Sequence, residues 1–217
     1  VPALSTRTAT RLGKPPRPLV DWAWLMIERV RRWQPTREIL VVGDGSYAAI
    51  ILVQRCQRLK RPVKLVSRLR LDAQLYDRPG PQPKSKRGPK PQKGAKQPKL
   101  AQQLADPTTV WQTLTVTWYG QHARVIEYIT GTALWHRTGH DPVPLRWVVV
   151  RCPEDTPKKD QFKPTGLFCS DQTLTAEQII QLFIGRWNIE ITFEELRAFP
   201  GLQILGKEFE HQCLFLI

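Results

Sequence analysis

The sequence predicts an α/β fold in which a mostly antiparallel β block is inserted before a C-terminal helix. Three observations carry this prediction. A β–turn–α–β succession occupies residues 39–69. Short segments rich in β-formers, separated by Gly and Pro, fill residues 110–170. A helical stretch with a capping signal follows from Thr175. A strand, a helix and a second strand in succession make an α/β layer, and closely spaced short strands make an antiparallel region.

The first helix is read over Asp21–Trp33. Ala23, Met26, Ile27 and Val30 follow the i, i+3, i+4, i+7 stripe, Asp21 suits the N-terminal end, and Pro35 closes the run. Ile39–Val42 is a continuous apolar run, the pattern of a strand buried on both faces. Gly43-Asp44-Gly45 ends it. A second helix is expected from about Tyr47 to Leu59, with Ile50, Ile51 and Leu52 toward the core, and a second strand over Val63–Leu69. Val110–Tyr119 alternates and reads as a strand. Arg124–Ile129, Ala133–His136, Arg146–Arg151 and Gly166–Ser170 read as further strands. Thr175 with Gln178 forms a capping box, and helix-compatible residues run to about Phe199 before Pro200-Gly201.

The chain has 217 residues and a net charge of +14. Its length allows one domain, or one plus an appendage, with a sizeable core. A hydrophobic content of 41% with 8 Trp excludes a disordered chain. Apolar runs are too short to span a bilayer, and the first 30 residues lack a signal-peptide pattern. The four cysteines form no C-x-x-C pair and read as buried or incidental thiols rather than a zinc site. His136 and His140 are four apart, but Gly139 and Pro142 break any helix that would align them on a metal. No P-loop or G-x-G-x-x-G follows a strand, so no nucleotide cofactor is expected.

The charge is uneven. Residues 1–18 and 78–99 hold twelve basic groups and no acid; the other residues are nearly neutral, with 21 basic and 19 acidic groups. Segment 78–99 carries Arg78, Lys84, Lys86, Arg87, Lys90, Lys93, Lys96 and Lys99 among many Pro and Gly. It reads as a mobile, extended loop. It is either a solvated linker or a basic arm that lies along a phosphate backbone, and eight cations without an acid favour the arm.

Two carboxylates stand out. Asp44 follows a buried strand at the sheet edge where α/β ligand sites form, and its glycines permit close approach. The alternative is a turn aspartate bonded to its own backbone. Glu190 shares a helix face with Phe183, Arg186 and Arg197, within an arc of about 60°. Such a face suits a metal and phosphates, or else is an exposed face with an i, i+4 Arg–Glu pair.

Phe183-x-x-Arg186-x-x-x-Glu190-x-x-x-x-x-x-Arg197 resembles the Y-x-x-R-x-x-x-E-x-x-x-x-x-x-K signature of DDE-type bacterial insertion-sequence transposases. Val42–Ala48, Ser67–Ala73 with the basic loop after it, and Gly131–Trp135 also look like this family, in the same order. The resemblance implies a ribonuclease-H-like mixed sheet with helices, interrupted by a β-rich insertion before a C-terminal catalytic helix. The implied core is residues 1–72 and 171–202, the insertion 73–170, and 203–217 a divergent tail.

It also implies metal-dependent cleavage and strand transfer on double-stranded DNA, at transposon ends and target, with a homodimer on DNA. Asp44 and Glu190 would be the second and third carboxylates of a two-metal site taking Mg²⁺, or Mn²⁺ in its place. Arg186 and Arg197 would contact DNA phosphates, as would Lys84, Lys86, Arg87, Lys90, Lys93 and Lys96 of the loop. Phe183 stands where the signature has Tyr and Arg197 where it has Lys. The first aspartate has no counterpart before Asp44 except Asp21, which opens a helix, so the chain is expected to be an N-terminally truncated piece, inactive alone. Asp171 is expected in a turn or helix-entry role, not a catalytic one. The expected location is the bacterial cytosol and nucleoid. The alternatives are a non-catalytic basic nucleic-acid-binding module and a decayed remnant.

Overall fold

A computed structural model describes residues 11, 13, 17–81, 91–117 and 123–186, and the backbone of 214–216. The described helices are α1 (Leu19–Trp33), α2 (Ile50–Gln57), α3 (Leu100–Ala105) and α4 (Ala176–Gly185). The strands are β1 (Leu40–Gly43), β2 (Lys64–Leu69), β3 (Leu75–Tyr76) and β4 (Gln112–Thr117), then β5 (Ala123–Trp135), β6 (Val143–Arg151), β7 (Thr165–Cys169) and β8 (Leu214–Leu216).

The strands form one mixed sheet in the order β3-β5-β6-β7-β2-β1-β8, with β4 also paired to β5. Only β1 and β2 are parallel, with Val41 beside Leu65. β7 runs antiparallel to β2, and β6 to β7. The segment read as a β-rich insertion is thereby joined edge-on to the α/β layer. The core lies on both faces of the sheet. Ala23, Ile27, Leu52, Val53 and Phe168 belong to a cluster on the α1–α2 side. Val42, Val66, Ile179, Ile180 and Phe183 belong to another under α4. Alternation assigns the sides: Val41 and Leu65 face one cluster, Val42 and Val66 the other.

Several elements differ from the sequence expectation. Met26 is 45% exposed, while Arg31 is turned inward one turn after Ile27. Arg31 tolerates this because its Nη1 donates to the carbonyls of Gln34 (3.0 Å) and Arg37 (2.7 Å), closing off the helix end. The second helix begins at Ile50, not Tyr47, because a 3-10 turn over Gly45–Tyr47 and an extended Ala49 intervene. The expected strands 124–129 and 133–136 are one strand. Gly131 does not break it; it makes room for the Trp147 indole, which a Cβ there would meet at 2.7 Å. β3 and the six-residue α3 were not anticipated from sequence.

The basic loop is not a free arm throughout. Asp77 N donates to Ala95 O (2.8 Å), Gly94 N to Asp77 O (2.8 Å) and Gln97 N to Leu75 O (2.9 Å). These bonds add residues 94–97 to the edge of β3 and close the loop at its base. Among the described residues, no helix is long and apolar enough to cross a membrane.

Candidate active site

Asp44 stands at the C-terminal end of β1. Its Oδ1 accepts from Ser46 N at 2.7 Å and caps the 3-10 turn, while its carbonyl accepts from Ser67 Oγ of β2 and from Tyr47 N. The turn is tight because Gly43 lets the buried Tyr47 ring lie against the backbone; a Cβ on Gly43 would be 3.0 Å from it. Asp44 follows Val42 by two residues and so shares the α4 side of the sheet.

Arg68 has the same relation to Val66 on the adjacent strand. It is exposed, and its Cβ would lie 3.6 Å from a Cβ on Gly45. Its guanidinium carbon is 5.5 Å from the centroid of the Phe183 ring. The Arg186 guanidinium lies over the same ring, also at 5.5 Å. Phe183 (6% exposed) and Arg186 (4%) are both buried. A cationic–aromatic stack therefore runs from the Asp44 turn to the end of α4. Beside it is a cleft of about 250 Å³ with Phe162, Ile180 and Phe183 in its lining and Arg68 and Lys163 among its cations. Sequence reading missed Arg68 and Lys163. Arg68 lies within the family-like stretch Ser67–Ala73, but one more arginine and one more lysine in a basic chain give no signal of a site until the strands are ordered.

α4 is fixed at its start by the predicted capping box: Gln178 N donates to Thr175 Oγ1 (3.2 Å) and Thr175 N to Gln178 Oε1 (2.9 Å). Glu190 and Arg197 lie outside the described residues, as do Lys84, Lys86, Arg87 and Lys90 and the rest of the helix expected to Phe199. Lys93 and Lys96 are described; Lys96 lies in the stretch 94–97 that closes the basic loop, and Lys93 immediately precedes it.

Asp171 sits at the other end of β2 from Asp44. Its Oδ1 accepts from Thr173 N (2.9 Å) and Thr173 Oγ1 (2.7 Å), and its Oδ2 pairs with Lys64 at 3.0 Å. Burial pushes this carboxyl up, but the Thr173 hydrogen bonds and the Lys64 ammonium outweigh it and leave it below the ordinary range. It has the expected turn role. Asp21, on α1, pairs with Arg55 at 2.7 Å. Burial pushes the Cys56 and Cys169 thiols up to about 12, so neither is a ready thiolate.

As a metal ligand, Asp44 offers a hard oxygen of the kind Mg²⁺ takes. Its Oδ2 has no hydrogen-bond partner among the described residues. Those residues bring no three of His, Cys, Asp and Glu together, so Asp44 fits as one ligand of a cation and not as a whole site.

A family model described as DDE superfamily endonuclease matches residues 5–125, more than half of the chain. The chain belongs to the DDE endonuclease superfamily. The mixed sheet with helices is the ribonuclease-H-like architecture of such an endonuclease. The matched stretch contains Asp44, Arg68 and the basic loop, while α4 lies beyond it. No curated protein matches this DDE endonuclease domain.

Proposed function

We propose that this chain is catalytic-domain sequence of a bacterial insertion-sequence transposase, performing metal-dependent phosphoryl transfer on DNA at transposon ends. The observation that carries the reading is Asp44 at the C-terminal end of β1, with one carboxylate oxygen that meets no partner among the described residues, on the side of the sheet that bears Arg68, Phe183 and Arg186. The fit of 183–197 to the transposase signature supports it, with Glu190 as a further carboxylate. The division into a core of 1–72 and 171–202 with an inserted 73–170 is part of the same reading. Two-metal chemistry calls for another carboxylate besides Asp44 and Glu190, so these residues alone do not make a complete centre.

Magnesium, or manganese in its place, would supply charge neutralisation at the transferring phosphoryl group. Asp44 and Glu190 would hold it. Arg197 and the exposed Arg68 would hold phosphate oxygens in position, while Arg186, expected from sequence to do the same, is buried over the Phe183 ring and would brace that ring behind Arg68; the lysines of the basic loop would grip flanking duplex. The partners are transposon-end and target DNA, with a second copy of the protein on the DNA, in the bacterial cytosol and nucleoid.

The test is Mg²⁺-dependent cutting of a plasmid carrying the element's ends by the protein that contains this chain. Asp44→Ala and Glu190→Ala should each reduce cutting by roughly a hundredfold or more while binding the same DNA within about twofold. Undiminished cutting by either variant overturns the assignment. A second reading is a non-catalytic DNA-binding module, of which a decayed transposase would be one case. It is favoured by the Asp44 Oδ1 bond to Ser46 N, which a purely structural turn also makes. That reading requires DNA binding with no metal-dependent cutting by the unaltered protein.

A further inference from the structure

A cavity of about 330 Å³ opens on the other side of the Asp44 turn from the Arg68 stack. Gly45 and Ala48 form one wall, the turn bearing Arg70 and Asp72 a second, and the end of β5 with Trp135, His136 and Arg137 a third. Pockets of about 300 to 1,000 Å³ with a few placed polar groups are the usual size for a small organic ligand or one unit of a polymer.

The charges in this cavity are not equivalent. Arg70 is committed to Asp72 by two hydrogen bonds of 2.8 and 2.7 Å, so the Asp72 carboxylate at the rim is already neutralised. Arg137 is exposed and makes no ion pair among the described residues. His136 has its backbone N–H on Gln74 O (3.2 Å) and its Nδ1 at 3.1 Å from Lys93 Nζ. Lys93 also lies over the Tyr76 ring at 4.2 Å. Arg137 and Lys93 are therefore cations without a carboxylate partner among the described residues, and His136 is next to Arg137 in sequence and in contact with Lys93. Lys93 belongs to the basic loop, whose base is bound to β3 directly beside it. A continuous path runs from Gly45 through the cavity to His136, Lys93 and the loop.

We propose that this cavity holds one backbone phosphate, with its sugar, of the DNA strand that passes Asp44 on its way to the basic loop. Arg137 and the His136–Lys93 pair take the phosphate oxygens, and Trp135 offers an aromatic wall to the sugar. The proposal rests on the transposase reading, since it needs DNA as the polyanion, but it concerns binding and not cutting.

The experiment uses the 217-residue chain and a short fluorescent DNA duplex, with binding followed by anisotropy from roughly 50 to 200 mM salt. Arg137→Ala should weaken binding and lower the salt slope by about 0.9, the value of one lost phosphate contact. Thr138→Glu places a negative charge on the exposed cavity rim and should weaken binding further; Thr138→Lys should tighten it. Arg29→Ala removes the same charge from an exposed position of α1, a helix that contributes no residue to the cavity lining, and should leave the slope unchanged. If Arg137→Ala and Thr138→Glu cannot be told from Arg29→Ala while the unaltered chain binds DNA, the cavity proposal falls and the transposase reading stands. If the unaltered chain shows no salt-dependent DNA binding, both fall.

Discussion

Asp44 and Asp171 both follow a strand and both accept a backbone N–H two residues on, from Ser46 at 2.7 Å and Thr173 at 2.9 Å. What separates them is the second oxygen. Asp171 gives it to Lys64, whereas that of Asp44 meets no described partner. Sequence shows the difference only in part. The apolar run followed by Gly-Asp-Gly marks Asp44 as a strand-end residue, but nothing near Asp171 announces Lys64, which arrives from β2 across the sheet. The ion pair has a measurable consequence. The Asp171 carboxyl is held low, so its contribution to stability is complete above the unfolded carboxylate range near pH ~4 and is lost as pH falls through the lower folded value. Acid unfolding of Asp171→Asn should therefore lack this part of the decline. At neutral pH the variant should be less stable by on the order of 1 kcal/mol, read from urea midpoints. An identical acid profile in both proteins would show that the pair contributes nothing. Thiol titration tests a second residue-scale effect: Cys56 and Cys169, pushed up to about 12 by burial, should resist a thiol reagent at pH ~8 until the chain unfolds. Rapid labelling of either one in the folded chain would contradict that burial.

At the level of elements, periodicity and capping were readable and backbone accommodation was not. Thr175 and Gln178 announced the start of α4, and the run Ile39–Val42 announced β1. The glycines were harder to interpret, because the same residue that ends a strand can also admit a bulky neighbour. Gly131 was read as a break and instead admits Trp147, so two expected strands are one. The basic loop shows the same limit. Its composition forbids regular structure, yet Gln97 finds a hydrogen-bond partner on β3 (Leu75) and Gly94 one just past it (Asp77), both outside the loop's own sequence. Gly94 is the sensitive point, since a Cβ there would stand 2.6 Å from the Arg78 carbonyl oxygen. Gly94→Ala should detach 94–97 from β3. Amide exchange should quicken at Asp77 and Gln97, while the β5–β6 and β2–β7 ladders keep their protection. The cost should be about 1–3 kcal/mol at most, because the strain is local and lies at a sheet edge. Unchanged exchange at Asp77 would mean that the loop base is not held by this contact.

For the molecule as a whole, sequence gave away the uneven charge but not the surface to which it is attached. Twelve of the fourteen net charges lie in residues 1–18 and 78–99, and both stretches are pinned to the fold at one point or more: Arg17 lies 5.0 Å over the Trp22 ring, and the loop base is bound to β3. β3 pairs with the end of β5, and that end lines the cavity beside the Asp44 turn. Sheet order, which requires long-range pairing, is what brings a loop some forty residues after Asp44 back to its neighbourhood. If the loop grips duplex DNA beside the cutting site, its cations act by releasing counterions, and each contributes to the slope of affinity against salt. Replacing Lys84, Lys86, Arg87 and Lys90 together by Gln leaves the clamped base from 94 to 97 intact. It should flatten the slope by as much as about 3 to 4 if every one of these cations meets a phosphate, and by less in proportion to those that do not. The same variant should leave thermal stability nearly unchanged, because like charges this close in sequence repel one another and their removal relieves that repulsion. A salt slope equal to that of the unaltered chain would make the loop a spacer and would leave the cavity cations and Arg68 as the main contacts to the phosphate backbone.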